Sequence, residues 1–506
     1  MPESKLADER SLSDFGELST AEARLLECCQ RGWIAKVGEA LPNIGHEGNQ
    51  VRAGFVRFLA LGGDHEAPVH EQGVRLDGGW LDGLLDLTAV HAQRRIVLWS
   101  CRIEKIIAVE AHLQSLSLSG SLLEAGLIGD GLRCDGSILL RSNFKSGREI
   151  RLAGARISGS LDCSGGRFEA SDQKNALLCD GAKIEGSLFL NHDFYADGAV
   201  RLVGVQIGGV LDCIGSSFHN PAGSALSCSR STVGGALFFR EIKKLAGEVN
   251  LSGMHVSSLC DDRESWMGAR GELMLDGFTY SRLAGGAPSD AATRIAWLES
   301  QTLDYLGVEF RPQPWEQLIG VLRAMGHPNE ARRVAIAKQV RLRRSRRIVK
   351  GARGLHWLYG ALVGYGYRVP RLAGMAIAVW LACAFAYWGA ANPQWFGETN
   401  YLIAPAKQEP SAACLVARAL THDGDPCLPP TPDYANFAPI VYSADVMLPI
   451  ISLGYKAEWK PVVRSPDGKP LVWGKILRAL YWTEIVFGWV TGALLIGALG
   501  NLIKKD

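Results

Sequence analysis

The sequence lacks an excess of charge of either sign, since 54 Lys and Arg residues face 52 Asp and Glu residues. The overall charge therefore does not attract nucleic acid over long distances. A charged partner has to bind a local cluster of charged residues. Common catalytic motifs are also missing. The chain has no CxxC or HxxxH spacing, and no GxSxG, GxxxxGK[ST] or GxGxxG sequence follows a predicted strand. We expect no enzyme, no cofactor, no metal site and no nucleic-acid partner.

A secretory signal is not recognisable either. Residues 1–19 are polar and acidic, whereas a signal has a basic start and an apolar run, so we expect the N-terminal part to stay in the cytoplasm. The chain is rich in glycine, with 58 residues among 506. Its mean hydropathy of +0.05 is high for a soluble chain, which indicates membrane segments. The length predicts several structural units rather than one core.

Internal repeats occupy residues 73–285. Ile150–Phe168 matches Val200–Phe218 at Arg, Leu, Gly, Ile, Gly, Leu, Asp, Cys, Gly and Phe. Ala176–Leu190 and Ala225–Phe239 keep the same framework halfway between, which gives a repeat of about 25 residues. Weaker copies begin near Val74, Ile96, Leu116, Val249 and Leu273.

Short apolar alternations separated by glycine predict very short strands joined by turns. Strands of this kind bury their faces only when successive units stack, so residues 73–285 predict a right-handed parallel β-helix, or β-solenoid. A leucine-rich repeat is disfavoured, because no unit carries Leu-x-x-Leu-x-Leu-x-x-Asn. The pattern loosely resembles pentapeptide-repeat and bactofilin-like β-helices. Helices at Thr20–Ala40 and Val51–Leu61 predict a helical cap over residues 1–72.

Nine of the 12 cysteines precede residue 261, in register with apolar core positions. In a reducing compartment they are most simply small hydrophobic residues. The repeated pairs Asp162-Cys163 and Asp212-Cys213 could instead form a metal ladder. We favour stacked core cysteines beside solvated or turn-bonding aspartates, because a metal site needs convergent ligands.

A basic helical neck is predicted for residues 291–353, with helices at Ala291–Leu306, Pro314–Met325 and Asn329–Arg347. The last two resemble a tetratricopeptide-type hairpin. Nine Lys or Arg and no acidic residue lie between positions 341 and 371, directly before an apolar stretch. This run predicts contact with anionic lipid and a topology signal. The candidate lipid contacts are Arg343, Arg344, Arg346, Arg347, Lys350 and Arg353.

Residues 354–506 predict a membrane domain with spans at 372–391 and 479–503. Basic flanks place both termini in the cytoplasm of a bacterium and the loop 392–478 outside the inner membrane. In that oxidising location Cys414 and Cys427 are expected to form a disulfide. The apolar segment 438–455 is too short to span; it could be re-entrant, interfacial or part of a folded external unit.

The membrane domain resembles the two-helix pore domain of potassium-type channels. Ser452, Leu453, Gly454 and Tyr455 stand at the filter position, and Trp473-Gly474-Lys475 precedes an inner helix that has Gly488 or Gly492 as a bending glycine. Departures are Lys456 in place of the second filter glycine, Pro449 in the pore helix and a long following loop. The resemblance implies conduction through backbone carbonyls. Candidate pore-lining residues are Asp445, Glu484, Gly488 and Thr491.

Glu484 lies inside the second span, where an isolated carboxylate has a high free-energy cost. It is expected to face a cavity, a partner helix or the headgroups beside Trp482. Most of the chain also resembles a group of bacterial membrane proteins sometimes labelled membrane-associated oxidoreductases, through Pro312–Leu318, Gly364–Pro370 and Tyr442–Ile450. The sequence thus predicts a homo-oligomeric, channel-like protein with a solenoid that assembles or gates the pore. The alternative is a membrane-anchored scaffold whose solenoid binds a protein.

Overall fold

The computed structural model describes most of the chain in two compact units, residues 1–348 and 349–506, here called the solenoid unit and the membrane unit. The division falls inside the predicted neck. The described residues are 11–170, 175–269, 272–307, 310–345, 350–365, 369–392, 403–405, 437–464 and 468–503.

The solenoid unit opens with a 3-10 turn, Leu12–Phe15, and helices α1 (Thr20–Arg31) and α2 (Ala53–Ala60). Ser19 begins α1, because its hydroxyl accepts from the Glu22 amide and the Glu22 carboxylate accepts from the Ser19 amide. The predicted extension of this helix to residue 40 is wrong. Gly32 ends it in a left-handed conformation with φ of 71°.

The strands of the solenoid unit begin before residue 73, because the first two pair in parallel with the third and fourth. The first fifteen strands are β1 (Ala35–Lys36), β2 (Gln50–Arg52), β3 (Val74–Asp77), β4 (Trp80–Asp86), β5 (His91–Ala92), β6 (Ile96–Trp99), β7 (Arg102–Ile107), β8 (His112–Leu113), β9 (Leu116–Ser117), β10 (Leu122–Leu123), β11 (Leu127–Ile128), β12 (Arg133–Cys134), β13 (Ile138–Leu139), β14 (Lys145–Ser146) and β15 (Ile150–Arg151). The next sixteen are β16 (Arg156–Ile157), β17 (Leu161–Asp162), β18 (Arg167–Glu169), β19 (Asn175–Leu178), β20 (Lys183–Ile184), β21 (Leu188–Phe189), β22 (Tyr195–Asp197), β23 (Ala199–Arg201), β24 (Gln206–Ile207), β25 (Leu211–Asp212), β26 (Ser217–Ser227), β27 (Thr232–Phe239), β28 (Lys244–Asn250), β29 (His255–Asp261), β30 (Leu273–Met274) and β31 (Thr279–Leu283).

Parallel pairing between coils forms two sheets, of 17 and 14 strands in the described residues. One buried column runs the whole length and makes about nine turns. Its members are Val74, Ile96, Leu116, Ile138, Leu161, Leu188, Leu211, Leu237, Leu259 and Leu283. Steps range from 20 residues, Ile96 to Leu116, to 27 residues, Leu161 to Leu188. The predicted β-solenoid is confirmed; its handedness stays a prediction.

Aromatic rings form a second stack along the interior. Neighbouring centroids lie 4.2 to 6.5 Å apart, so successive rings are in direct contact. The stack consists of Phe144, Phe168, Phe194, Phe218, Phe239 and Trp266. Equivalent residues of successive repeats therefore meet in space, which explains why Phe168 and Phe218 recur in the sequence.

All nine cysteines of the solenoid unit are buried and free, as the core interpretation predicted. Asp162 accepts a hydrogen bond from the Ser164 amide at 3.0 Å, and Asp212 accepts one from the Ile214 amide at 3.0 Å. Each carboxylate also accepts a hydrogen bond from the preceding coil, Asp162 from Arg141 and Asp212 from Asn191, so both are bonded within their own turn and across coils. Burial raises the pKa of the Cys134 thiol to about 11 and that of Cys101 to about 12.

These thiols should be unreactive in the folded protein. Ellman's reagent is expected to modify Cys134 and Cys101 roughly a hundredfold more slowly than in urea, because burial hides the sulfur and keeps it protonated. Peptide mass spectrometry after timed quenching measures both rates. Comparable rates in the native and denatured protein would contradict the buried positions.

The C-terminal end of the solenoid is covered by helices α3 (Ala291–Leu298), α4 (Leu303–Leu306), α5 (Gln313–Ala324) and α6 (Pro328–Arg344). A single helix over 291–306 was predicted, and this is wrong. Gln301 bridges to Leu273, and the Thr302 amide donates to the Leu273 carbonyl, so this stretch pairs with β30 instead of continuing the helix.

Two glutamines of α5 form hydrogen bonds with backbone groups at the open edge of the last coil. Gln317 donates to the carbonyl of Tyr280 at 2.6 Å, and Gln313 donates to Phe278 and accepts from the Gly277 amide. An uncovered parallel edge would offer these groups to another chain. Side chains therefore take the place of the next strand.

The membrane unit contains α7 (Lys350–Val363), α8 (Val369–Ala391), α9 (Pro439–Met447), α10 (Tyr455–Glu458) and α11 (Val472–Ile503). Strands β32 (Ile403–Pro405) and β33 (Trp459–Pro461) pair antiparallel. Two of these helices are long and apolar enough to cross a membrane, over Pro370–Ala391 and Val472–Gly497. The second begins seven residues before the predicted start at 479.

Candidate functional site

The centre of the membrane unit is the short helix α9, which packs against both α8 and α11. Tyr442 and Val446 of α9 are buried with Tyr387 of α8 and Leu477 of α11. The rings of Tyr387 and Tyr442 meet edge to face, with centroids 4.9 Å apart. Aromatic and aliphatic packing thus fixes α9 between the two candidate spans.

The contacts of α9 show where it lies along the two long helices. Trp380, midway along α8, donates from Nε1 to the Ile440 carbonyl at 3.1 Å. At the C-terminal end of α9, the Met447 carbonyl lies so close to Gly488 that an added β-carbon would overlap with it. Residues 438–447 therefore run beside the central turns of both candidate spans.

After α9 the chain turns back towards the start of α11. Gly454, with φ of 88°, makes the turn before α10. Strand β33 follows, and Arg478 donates to the Pro461 carbonyl at 2.8 Å. A β-carbon on Gly474 would overlap with the Val462 carbonyl, so this glycine permits the close approach. The path enters between the helices and returns.

Asp445 holds this return in place. Its fully buried carboxylate accepts from the backbone amides of Leu453, at 2.6 Å, and Lys456, at 2.7 Å. The Lys456 ammonium lies 3.8 Å from the same carboxylate. Pro449 follows the end of α9, where a proline prevents continuation of the helix. Asp445 is thus the hydrogen-bond centre of the turn.

Glu484 is buried among neighbouring elements of its own chain. Its side chain is 1% exposed, whereas Trp482 is 63% exposed. The carboxylate accepts from the Tyr387 hydroxyl at 2.9 Å and lies in hydrogen-bond contact with the Ser443 hydroxyl. Of the three surroundings considered from the sequence, the partner-helix interpretation agrees with these contacts, since the carboxylate joins α8, α9 and α11.

The structure places the four candidate pore-lining residues in the packing of one chain. Asp445, Glu484 and Thr491 are buried, and Gly488 lies against Met447. The Thr491 hydroxyl donates within its own helix, to the carbonyl of Phe487 at 2.8 Å. These residues therefore shape and hold α9, and lining of a pore by them stays a prediction.

The candidate filter residues are more open. Ser452 and Leu453 are exposed, with Ile450 and Ile451 before them, while Gly454 and Tyr455 are half-buried. The carboxylate of Asp445 accepts hydrogen bonds from the backbone amides of Leu453 and Lys456. Tyr455 starts α10, so the irregular stretch after α9 ends at Gly454; a role of these residues as a filter stays a prediction.

The predicted lipid-contact residues in the described part of the chain belong to two different units. Arg343 and Arg344 belong to α6 of the solenoid unit, while Lys350 and Arg353 belong to α7 of the membrane unit. Four predicted residues lie outside the described part of the chain: Arg346, Arg347, Cys414 and Cys427.

Sequence reasoning missed a basic column on the surface of the solenoid. Arg133, Arg156 and Lys183 are exposed and pair in register on successive coils. His112 precedes them and Gln206 follows. In each coil the column residue lies directly before a buried Cys, Ile or Leu of the repeat. Aligning the repeats on these outward-facing residues would have revealed the column from the sequence.

Fold and site together define a β-solenoid protein with two candidate membrane spans and a short helix packed between them. Comparison with known proteins assigns it to no family, because no protein-family model, no curated protein and no solved structure matches the chain. The resemblances to channels and to the bacterial membrane group therefore depend on short stretches of this sequence, such as Ser452–Tyr455 and Tyr442–Ile450.

Proposed function

We propose that this chain is a channel-like protein of the bacterial inner membrane, with several copies forming one pore and the solenoid assembling or gating it. The observation that carries the proposal is the path of residues 438–455 between two candidate spans and back. Irregular backbone at membrane depth is tolerated only where it is buried in protein or lines a water-filled space. The exposed part of this segment, 450–453, suits the second of these conditions.

Electrostatics support the same proposal. The C-terminal end of a helix carries a partial negative charge from its unpaired carbonyls. For α9 this end, at Met447, lies beside Gly488 in the middle of α11. A helix that presents this end at the centre of a bilayer favours a cation there, and backbone carbonyls can replace part of its water shell.

The number of copies has to exceed one, because two spans cannot enclose a water path. Large apolar side chains are exposed on both long helices, among them Phe385 of α8 and Trp489 of α11. Such surfaces are suited to lipid and to further copies of the same helices. Basic residues before the first span and Lys504-Lys505 after the second favour cytoplasmic termini.

Flux through reconstituted protein tests the proposal. Vesicles containing the wild type are expected to pass a monovalent cation, and Gly454→Val should reduce flux to near that of empty vesicles, because a β-branched residue disfavours φ of 88°. The matched control is Gly468→Val, which replaces a glycine with φ of 79° outside the apolar segment. Vesicles containing this variant should pass the cation at the wild-type rate.

Glu484→Gln and Glu484→Ala extend the test. Glutamine keeps an acceptor for the Tyr387 hydroxyl, so it should retain more flux than alanine, which leaves that hydroxyl buried without its carboxylate. Native mass spectrometry of detergent-solubilised protein should give a single oligomer. A strict monomer, or wild-type vesicles as tight as empty ones, would contradict the channel.

The scaffold alternative is favoured by a different observation, the long exposed face of about nine stacked coils. On that hypothesis the spans only anchor the chain, so Gly454→Val and Glu484→Ala leave function intact, whereas substitutions on the solenoid surface abolish it. The two hypotheses thus predict opposite sensitivities of the two units.

A further inference from the structure

The exposed column on the solenoid brings three positively charged side chains onto adjacent coils. We call Arg133, Arg156 and Lys183 the basic ladder; they occupy the same position in three successive coils. Neighbouring parallel strands lie about 4.8 Å apart, so equivalent side chains on adjacent coils are direct neighbours. Like charges in that arrangement repel and destabilise the sheet.

Two other arginines on the solenoid are neutralised by carboxylates of the preceding coil. Arg151 pairs with Asp130 at 2.8 Å, and Arg201 pairs with Asp180. In the described part of the chain, neither Arg133 nor Arg156 makes a side-chain hydrogen bond or an ion pair. These two guanidinium groups therefore keep all their donors for water or a ligand.

Nearby carboxylates are engaged at the ends of the ladder. Asp135 lies 2.9 Å from His112 Nε2, and Glu185 lies 3.4 Å from Lys183 Nζ. Arg156, in the centre, is followed at the equivalent position by Ser158 instead of an acid. The positive potential is thus strongest at the middle of the ladder.

The turn beside the ladder leaves room for a ligand. Its left-handed position holds glycine in four successive coils, Gly131, Gly154, Gly181 and Gly204. The coils before and after carry Glu110 and Arg230 there. The glycines therefore leave one side of the basic ladder open, and the groove along it, which Asp135 and Glu185 also line, has a volume of about 870 Å³.

We propose that the basic ladder binds a soluble anion that carries two or more phosphate groups. A guanidinium fork matches phosphate oxygens with two parallel hydrogen bonds. Cations one coil apart suit phosphates linked in a chain, and the Gln206 amide adds neutral donors at one end. The inference goes beyond the proposed function and does not depend on conduction.

Titration of the full-length protein in detergent with inorganic triphosphate tests the site. The wild type should bind, and binding should weaken as salt is added. R133Q with R156Q should weaken it by about tenfold for each arginine. The matched control is R201Q, which removes a paired arginine from the same solenoid and should change the affinity less than about twofold.

A second arm separates the possible sources of phosphate. Monomeric dihexanoyl phosphatidylglycerol, which carries a single phosphate, should compete poorly with triphosphate. Equal binding of triphosphate by the wild type and the double variant overturns the proposal, as does binding of the lipid alone. Circular dichroism of each variant shows that the solenoid is retained, and R133K with R156K, which keeps charge without the fork, should bind at an intermediate level.

Discussion

Arg294→Ala should lower the stability of the C-terminal end of the solenoid unit by about 3 to 5 kcal/mol. Arg294 of α3 makes two 2.7 Å hydrogen bonds to Asp261 of β29, and the two side chains are 2% and 1% exposed. Among the described residues, the alanine variant leaves the buried Asp261 carboxylate with one remaining side-chain partner, the Trp266 indole. The change is measured as the free energy of opening from N-ethylmaleimide labelling of buried Cys260 in increasing urea.

An exposed ion pair gives the matched control. Arg201 and Asp180 have side chains 42% and 27% exposed, so Arg201→Ala should cost no more than about 1 kcal/mol in labelling of the adjacent Cys179. Arg294→Met with Asp261→Leu should cost less than Arg294→Ala alone, because it removes the orphaned charge. An effect of Arg294→Ala no larger than that of Arg201→Ala would contradict the buried pair.

Gly488→Ala should destabilise the packing of α9, although alanine is the better helix former. The added methyl overlaps with the backbone carbonyl of Met447, and the backbone cannot rotate away as a side chain can. Overpacking of this kind costs about 1 to 3 kcal/mol. Labelling of Cys383, which is buried beside Tyr387, reports the opening of this cluster locally.

Gly497→Ala supplies the control within the same helix. No atom lies within 4 Å of a β-carbon at Gly497, so alanine should be neutral or stabilise α11 by up to about 1 kcal/mol. Gly488→Ala is expected to label Cys383 faster than the wild type does, and labelling that is equally fast or slower would show that α9 does not pack against Gly488. Comparison of the two variants separates helix propensity from contact with α9.

The repeat pattern predicted the solenoid correctly, because an apolar residue at equivalent positions of successive repeats is buried whatever the exact coil length. The starts at Val74, Ile96 and Leu116 are paired strand positions in the structure. Helix ends were less predictable. The helix from Thr20 stops at Gly32, and the one from Ala291 is interrupted where Gln301 pairs with Leu273. Pairing with a distant strand overrides local propensity there.

By itself the sequence determined the two apolar stretches, the stacked core and the burial of the cysteines, since each follows from local hydrophobicity and periodicity. Only the tertiary structure decided which polar groups meet. Glu484 reaches Tyr387 across 97 positions, and the basic ladder aligns only when coils of 20 to 27 residues are brought into register. Such contacts depend on long-range packing, which no local pattern encodes.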